Sequence, residues 1–526
     1  MTRAVRSGVV RFVLAVAGMA PGATGAADVR DLGDQRELFV DRWLIAEMRG
    51  VSLRLHPPQP AGIALRLDQP WEGRYSTYAT VLTAEGRHRL YYRGRPALPE
   101  SRDPVAVDLD TKHQVTCYAE STDGIVWRRP RLGLFEVGGS RENNVVLAGT
   151  PACANFTPFV DARPGVATDQ RFKAVGGVHA AGLELFASAD GIHWRRVRRL
   201  AGIDGAFDSQ NVVFWSAHER CYVMYFRTWS TGTAYQGRRE ISRATSPDLE
   251  AWSPPVRMSF SADPGEELYT QQTQPYFRAP QIYLAFPSRF LPDRRVLSDE
   301  EFDRSDIWPR SRTSGLSDGL FLTSRGGAVY DRTFAEAMVR PGPDRRNWSP
   351  RNTYSAHGLI ETAPGELSLY YIRNYAQPTV HLERFVLRLD GFASLAAGRP
   401  GGEALTHPLV FAGGELELNC ATSAGGSIRV AICDPDGNAL PGYSAADCDP
   451  IIGDELARRV SWRGSRNLAA LAARPVRLRF VMAEADVYSL RFAPRPERTA
   501  GLPPRFAPRR RADRPLPRHP GGCTQR

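Results

Sequence analysis

Four arginines, Arg93, Arg227, Arg289 and Arg373, each end a short run rich in aromatic residues. A guanidinium fork pairs bidentately with carboxylate, sulfate or phosphate, so four of them converging on one place would hold an anion. The alternative is that each arginine bridges neighbouring elements through carbonyls and acids. Acids are fewer at equivalent places. Asp208 stands just ahead of a strand-like run, and Glu267 and Asp318 head others. Cleavage of a glycosidic bond uses two carboxyl groups, one as acid and one as base or nucleophile. Asp208 with Glu267 or Asp318 could supply them. An Asx-turn is the competing role for Asp208. Amides and aromatics near the same run ends, Asn155, Gln210, Gln272 and Tyr354, are the usual lining of a sugar site, and Tyr75, Tyr78, Tyr269, Tyr375 and Arg95 fall beside them. His357 reads as a base, a metal ligand or, preferred, a satisfied core residue.

The elements that would position these groups are legible as repeats. Ser-x-Asp-x-x-x-Trp occurs at residues 121–127, 188–194 and 246–252, with a degenerate copy at 324–330. A Ser/Asp/Gly cluster after a strand and before a Trp closes a hairpin. Five sets of paired strands are read: 77–82 with 90–93, 156–160 with 172–176, 211–215 with 222–227, 273–277 with 282–286, and 357–361 with 367–373. The simplest accounting is an all-β chain with a five-bladed β-propeller. In that geometry the starts of first strands and the ends of second strands share one mouth of the funnel. The Ser-x-Asp turns lie on the opposite face and are structural.

The expected organisation is a signal peptide at 1–27, the propeller with N-terminal strands at 28–395, a linker at 396–404, a β-sandwich at 405–493, and a disordered Pro/Arg-rich tail at 494–526. The leader joins Arg3, Arg6 and Arg11 to an apolar run and small residues, so export to the periplasm or the medium is expected. Leader and tail together carry most of the net charge of +11, which leaves the body near neutral. That excludes a nucleic-acid reading based on charge. No later stretch is long and apolar enough to span a bilayer. Seven cysteines show no zinc spacing, and one disulfide among Cys420, Cys433 and Cys448 stays open. No cofactor is expected, with a structural calcium left open.

With its blade count, its Ser-x-Asp-Gly-x-x-Trp turns and the Pro70-Trp71-Glu72 approach to the first blade, the chain resembles the five-bladed β-propeller glycoside hydrolases of families 32, 43, 68, 117 and 130. The trailing sandwich is similar to that of family 32. The resemblance implies a carbohydrate-active enzyme or binder with its site in the funnel. The chain departs from those families in carrying no acid on 77–81, and it lacks an Asn-Asp-Pro-Asn motif. Ser101-Arg102-Asp103-Pro104 contains an Arg-Asp-Pro triplet, but in a loop of the first blade. The leading expectation is a secreted glycoside hydrolase acting on an acidic or sulfated oligo- or polysaccharide. The alternatives are a uronate lyase using Tyr354, Tyr375 or His357, a phosphorylase, and a non-catalytic glycan-binding propeller.

Overall fold

The computed structural model describes residues 29–96, 113–179, 181–232, 234–261, 265–304 and 314–494. The expected signal peptide, Cys523 and all but the first residue of the expected tail lie outside them. The described chain is nearly all β, with one short helix at Asp299–Arg304.

Five antiparallel sheets follow one another. The first is Thr77–Ala84, Arg87–Gly94, Val115–Ser121 and Val145–Ala148, paired in that order. The second is Thr157–Val160, Phe172–Val178, Gly182–Ser188 and Arg195–Arg199, and the third is Val212–Ser216, Cys221–Trp229, Arg239–Ser246 and Val256–Arg257. The fourth is split into Gln274–Tyr276, Ala279–Ala285 and Leu322–Ser324 on one side, and Glu267–Leu268, Ser288–Leu291 and Leu316–Gly319 on the other. Pro287 lies at the split, where a residue without an N–H cannot donate to the ladder. The fifth comprises Tyr354–Ser355, Ile360–Ala363, Glu366–Arg373 and His381–Arg388, and its outer strand is Gln59–Arg66 from the N-terminal region.

Second strands read as unbroken apolar runs rather than alternating ones. Leu90 and Tyr91, and Tyr222 to Phe226, are fully buried. A strand covered on both faces shows this pattern, so each sheet packs face to face against its neighbours. Inner strands are tied in a closed order. Asn155 Nδ2 of the second sheet donates to the carbonyls of Phe207 and Ser209 at the entry to the third. Gln272 Nε2 donates to Gln210 Oε1 and to the Ser355 carbonyl, linking the fourth sheet to the third and fifth. His357 exchanges backbone bonds with Ala79 and Val81, which returns the fifth sheet to the first.

The repeated turns act as staples at the far ends of the sheets. Ser121 pairs with His88, six residues along its strand from the first-sheet residue Gly94. Asp123 Oδ1 accepts from Ile125 N at 2.8 Å, Val126 N at 2.9 Å and Ser121 Oγ at 2.8 Å. These bonds hold its carboxyl below the usual range. Asp190 and Asp248 repeat the arrangement. Each of the first two turns then docks on another sheet: Tyr370 Oη donates to the Gly124 carbonyl and Tyr91 Oη to the Gly191 carbonyl at 2.9 Å. Gly191 has φ +75°, and a Cβ there would stand 2.6 Å from Tyr91 Oη. Gly191→Ala is therefore expected to lower unfolding free energy by roughly 1–3 kcal/mol in urea titration. Gly202→Ala, at φ +74° in open space, carries the backbone penalty without the clash and should cost less.

Residues 393–493 do not stand apart. Ala393–Ala397, Gly402–Thr406, Glu415–Cys433, Asp454–Arg459 and Arg477–Ala493 form one eight-stranded sheet with Arg36–Leu38, Ile45–Arg49 and Val51–Leu55. The segment expected as a linker at 396–404 is instead the turn and flanking strands of this sheet. Its Gly and Pro residues serve a tight connection in which Gly401 N bonds the Gly398 carbonyl. The two longest strands pair along their length with a register break between Thr422 and Ser427. Residues on both sides of the break, Leu418, Ile432, Phe480 and Leu490, share one core. The six described cysteines are free thiols. Cys420 and Cys433 lie far apart along one strand, opposite Val487 and Arg477, and Cys448 Sγ accepts from Val430 N.

Candidate active site

Where first strands begin and second strands end, the backbone is strained. Tyr78, Phe207, Gln272, Arg351, Thr353, Asn374 and Ala376 all take left-handed φ values, between 52° and 66°. Non-glycine residues in this region cost on the order of 1–3 kcal/mol each and gather at functional sites. Here they surround a stack of tyrosines. The Tyr354 ring lies 5.0 Å from Tyr269 and 6.4 Å from both Tyr78 and Tyr375, and all three pairs are stacked. Tyr75 meets Tyr375 edge-on at 5.8 Å. Tyr354 Oη is buried and has no hydrogen-bond partner among the described residues.

Arginines flank the stack. Arg93 lies 4.9 Å over the Tyr78 ring and donates to the Tyr75 carbonyl at 2.9 Å and to Tyr375 Oη at 3.4 Å. Arg95 lies 5.3 Å over Tyr75. Arg351 lies 6.0 Å over the Tyr269 ring; burial lowers its guanidinium, and the neighbouring Tyr269, Tyr375, Tyr354 and Tyr78 more than offset that. Among the described residues, neither Arg93 nor Arg351 has a carboxylate partner. The guanidinium of Arg95 is lowered to about 10 by burial first and then by the charges of Arg93 and Arg351. Arg93 and Arg351 thus each disfavour the charged form of Arg95, as neighbouring like charges do.

Asp208 borders the same cluster. Its Oδ2 is 3.5 Å from Arg227 Nη1, while its buried Oδ1 has no hydrogen-bond partner among the described residues. Tyr78 Oη reaches the Asp208 carbonyl at 3.5 Å. Arg227 is fully buried, donates to the Tyr269 carbonyl and lies 4.8 Å over the Tyr269 ring. Trp229 sits beside it, and the exposed Tyr235, itself at φ 65°, packs 6.0 Å from Trp229. Asp208 is among the charges that, after burial, raise the Tyr235 hydroxyl.

The other expected groups are placed differently. Glu267 is held by Arg239 at 2.6 Å, and Arg239 lies over Trp229 and Phe290, both at 4.8 Å. Asp318 takes the fork of Arg289 at 2.9 and 2.6 Å, and Arg289 also binds Glu266. Gln210, Gln272 and Asn155 have their amides in the bonds between sheets. Arg373 is bonded to Glu383, Thr353 Oγ1 and the Pro341 carbonyl. His357 is buried, and burial takes its imidazole down to about 4, so it is neutral near pH 7. The structure therefore gathers Asp208, Arg93, Arg227 and Tyr354 at one place. It sets Glu267 in an ion pair with Arg239 and Asp318 in another with Arg289, and leaves Asn155, Gln210, Gln272, His357 and Arg373 in the framework. Arg351, Trp229, Tyr235 and Arg239 were not expected. Arg351 lies three residues before the expected site residue Tyr354, the one local sign of its position. Among the described residues no group of three or more His, Cys, Asp or Glu side chains could hold a metal ion.

No protein-family model matches this chain, and no curated protein matches it. Solved structures do. The chain is similar to a protein titled glycoside hydrolase, with 15% identity over 66% of this chain and 96% of that one, at a TM-score of 0.40. It is similar to an N-acetylgalactosamine deacetylase from F. plautii in complex with blood group B trisaccharide, with 13% identity, 66% and 95% coverage and a TM-score of 0.38. It is likewise similar to a β-1,2-mannobiose phosphorylase from Listeria innocua, with 11% identity, 64% and 97% coverage and a TM-score of 0.40.

Proposed function

We propose that this chain is an exported carbohydrate-active enzyme, that its five sheets are the blades of a β-propeller, and that an acidic glycan enters the funnel. The observation that carries the reading is the cluster of Arg93, Arg95 and Arg351 against stacked tyrosines, next to a carboxylate with a spare oxygen. Tyrosine faces cover the apolar side of a sugar ring. The guanidiniums take its charged group. Asp208 Oδ1 is placed to exchange a proton with the glycosidic oxygen or an attacking water.

The reaction is read first as hydrolysis, with Asp208 as acid or base. Glu267, whose partner Arg239 lies 5.3 Å over the Tyr269 ring, is taken as the second carboxyl of that reading. A second reading is favoured by the arginines that hold Glu267 and Asp318, since each neutralises its partner. Elimination on a uronate needs no second carboxylate. The Asp208 carboxylate takes the proton beside the uronate carboxylate while Arg351 neutralises the enolate, and the C–O bond to the leaving sugar breaks as Tyr354 Oη, which burial keeps protonated, gives its proton to the leaving oxygen.

A panel of acidic and neutral oligosaccharides, with products followed by mass and ultraviolet absorbance, tests both. Hydrolysis adds water to the products. Elimination adds none and leaves an absorbing double bond. Binding without products would make the chain a lectin-like propeller, and no binding by either class would end the glycan reading.

A further inference from the structure

Beside the strained Phe207-Asp208 step lies a groove of about 200 Å³ that none of the groups above uses. Leu183, Leu200 and Phe207 form its apolar base, and His179, Arg199 and Asp204 its polar edge. Phe207 lines this groove and immediately precedes Asp208, so one peptide step separates the groove from the candidate carboxylate.

The polar edge has bonding capacity to spare. His179 Nδ1 lies 3.1 Å from the Gly205 carbonyl. A carbonyl only accepts, so Nδ1 carries the proton and the neutral ring offers Nε2 as an acceptor. Arg199 and Asp204 are exposed, and among the described residues neither forms an ion pair. An acceptor, a guanidinium fork and a carboxylate around a small apolar base match a sugar, which has a C–H face and a rim of hydroxyls.

Resting on the glycan reading above, we propose that this groove is a second subsite, holding the sugar unit next to the one beside Asp208. The groove then sets affinity for chain length, while the Arg93/Arg351 cluster sets affinity for charge.

The test uses the full chain and pectin, alginate and hyaluronan oligomers of one to four residues, with neutral cello-oligomers alongside, in titration calorimetry. Arg199→Ala and Asp204→Ala remove groups without partners in the fold, and an unchanged melting temperature confirms that. For each series that wild type binds, affinity is expected to rise from one residue to two or three. Each variant should lose about tenfold on the longer oligomers, the worth of a hydrogen bond to a charged group, and nothing on the single sugar. Variants that bind long oligomers as wild type does overturn the subsite, as does an equal loss on the single sugar. In both outcomes the glycan reading survives. Failure of wild type to bind any oligomer overturns the glycan reading and takes the subsite with it.

Discussion

Asp208→Asn is expected to leave the fold intact and to lower turnover by roughly two or more orders of magnitude, the usual worth of a positioned acid or base. The substitution keeps shape and removes charge. Its structural cost is small, because the carboxylate has one distant partner, Arg227 at 3.5 Å, and Arg227 remains held by the Tyr269 carbonyl. Turnover on the best substrate of the glycan panel and thermal melting are the two measurements. Full activity in the variant would move the chemistry to Glu267 or to the tyrosines. A large loss of stability would make Asp208 a scaffold residue that positions Arg227.

Arg351→Gln should separate charge recognition from folding. Wild type is expected to bind acidic glycans better than neutral ones of the same length. The variant should lose most of that preference, about ten- to a hundredfold in affinity, because hydrogen bonds to charged groups contribute about 1.5–3 kcal/mol. Neutral glycans should be bound as before. The loss of the Arg351 charge should also raise the Arg95 guanidinium slightly, while burial and Arg93 continue to hold it below its ordinary value. Calorimetry with matched acidic and neutral oligosaccharides reads the effect. Equal losses on both would mean that Arg351 holds the tyrosine stack together instead of the ligand.

Local chemistry explains which parts of this arrangement are readable from sequence. A Ser-x-Asp turn closes on its own backbone within a few residues, so the hairpins around Asp123, Asp190 and Asp248 can be placed without knowing their neighbours. The arginines at second-strand ends follow from the same spacing, and Arg93 and Arg227 do reach the cluster. Pairing across sheets is not local. Nothing near Glu267 announces Arg239 as its partner, and nothing near Asp318 announces Arg289. The amides of Asn155, Gln210 and Gln272 look like sugar ligands, yet their partners are carbonyls and an amide on other sheets. Arg351 and Tyr235 depend on left-handed backbone that no residue type signals, since neither is Gly, Asn or Asp.

The outer strand of the fifth sheet has a further consequence. Gln59–Arg66 pairs with His381–Arg388, and Arg36–Leu38 with the strand that ends at Ala493. These early strands therefore wait for partners that are synthesised last. Until then these strands stay unpaired. The waiting strand is also an unpaired edge, open to wrong partners in other copies of the chain. Cutting at 395 to express two halves would leave both incomplete, because the C-terminal half would lack Arg36–Leu38, Ile45–Arg49 and Val51–Leu55, and the N-terminal half would carry those strands bare.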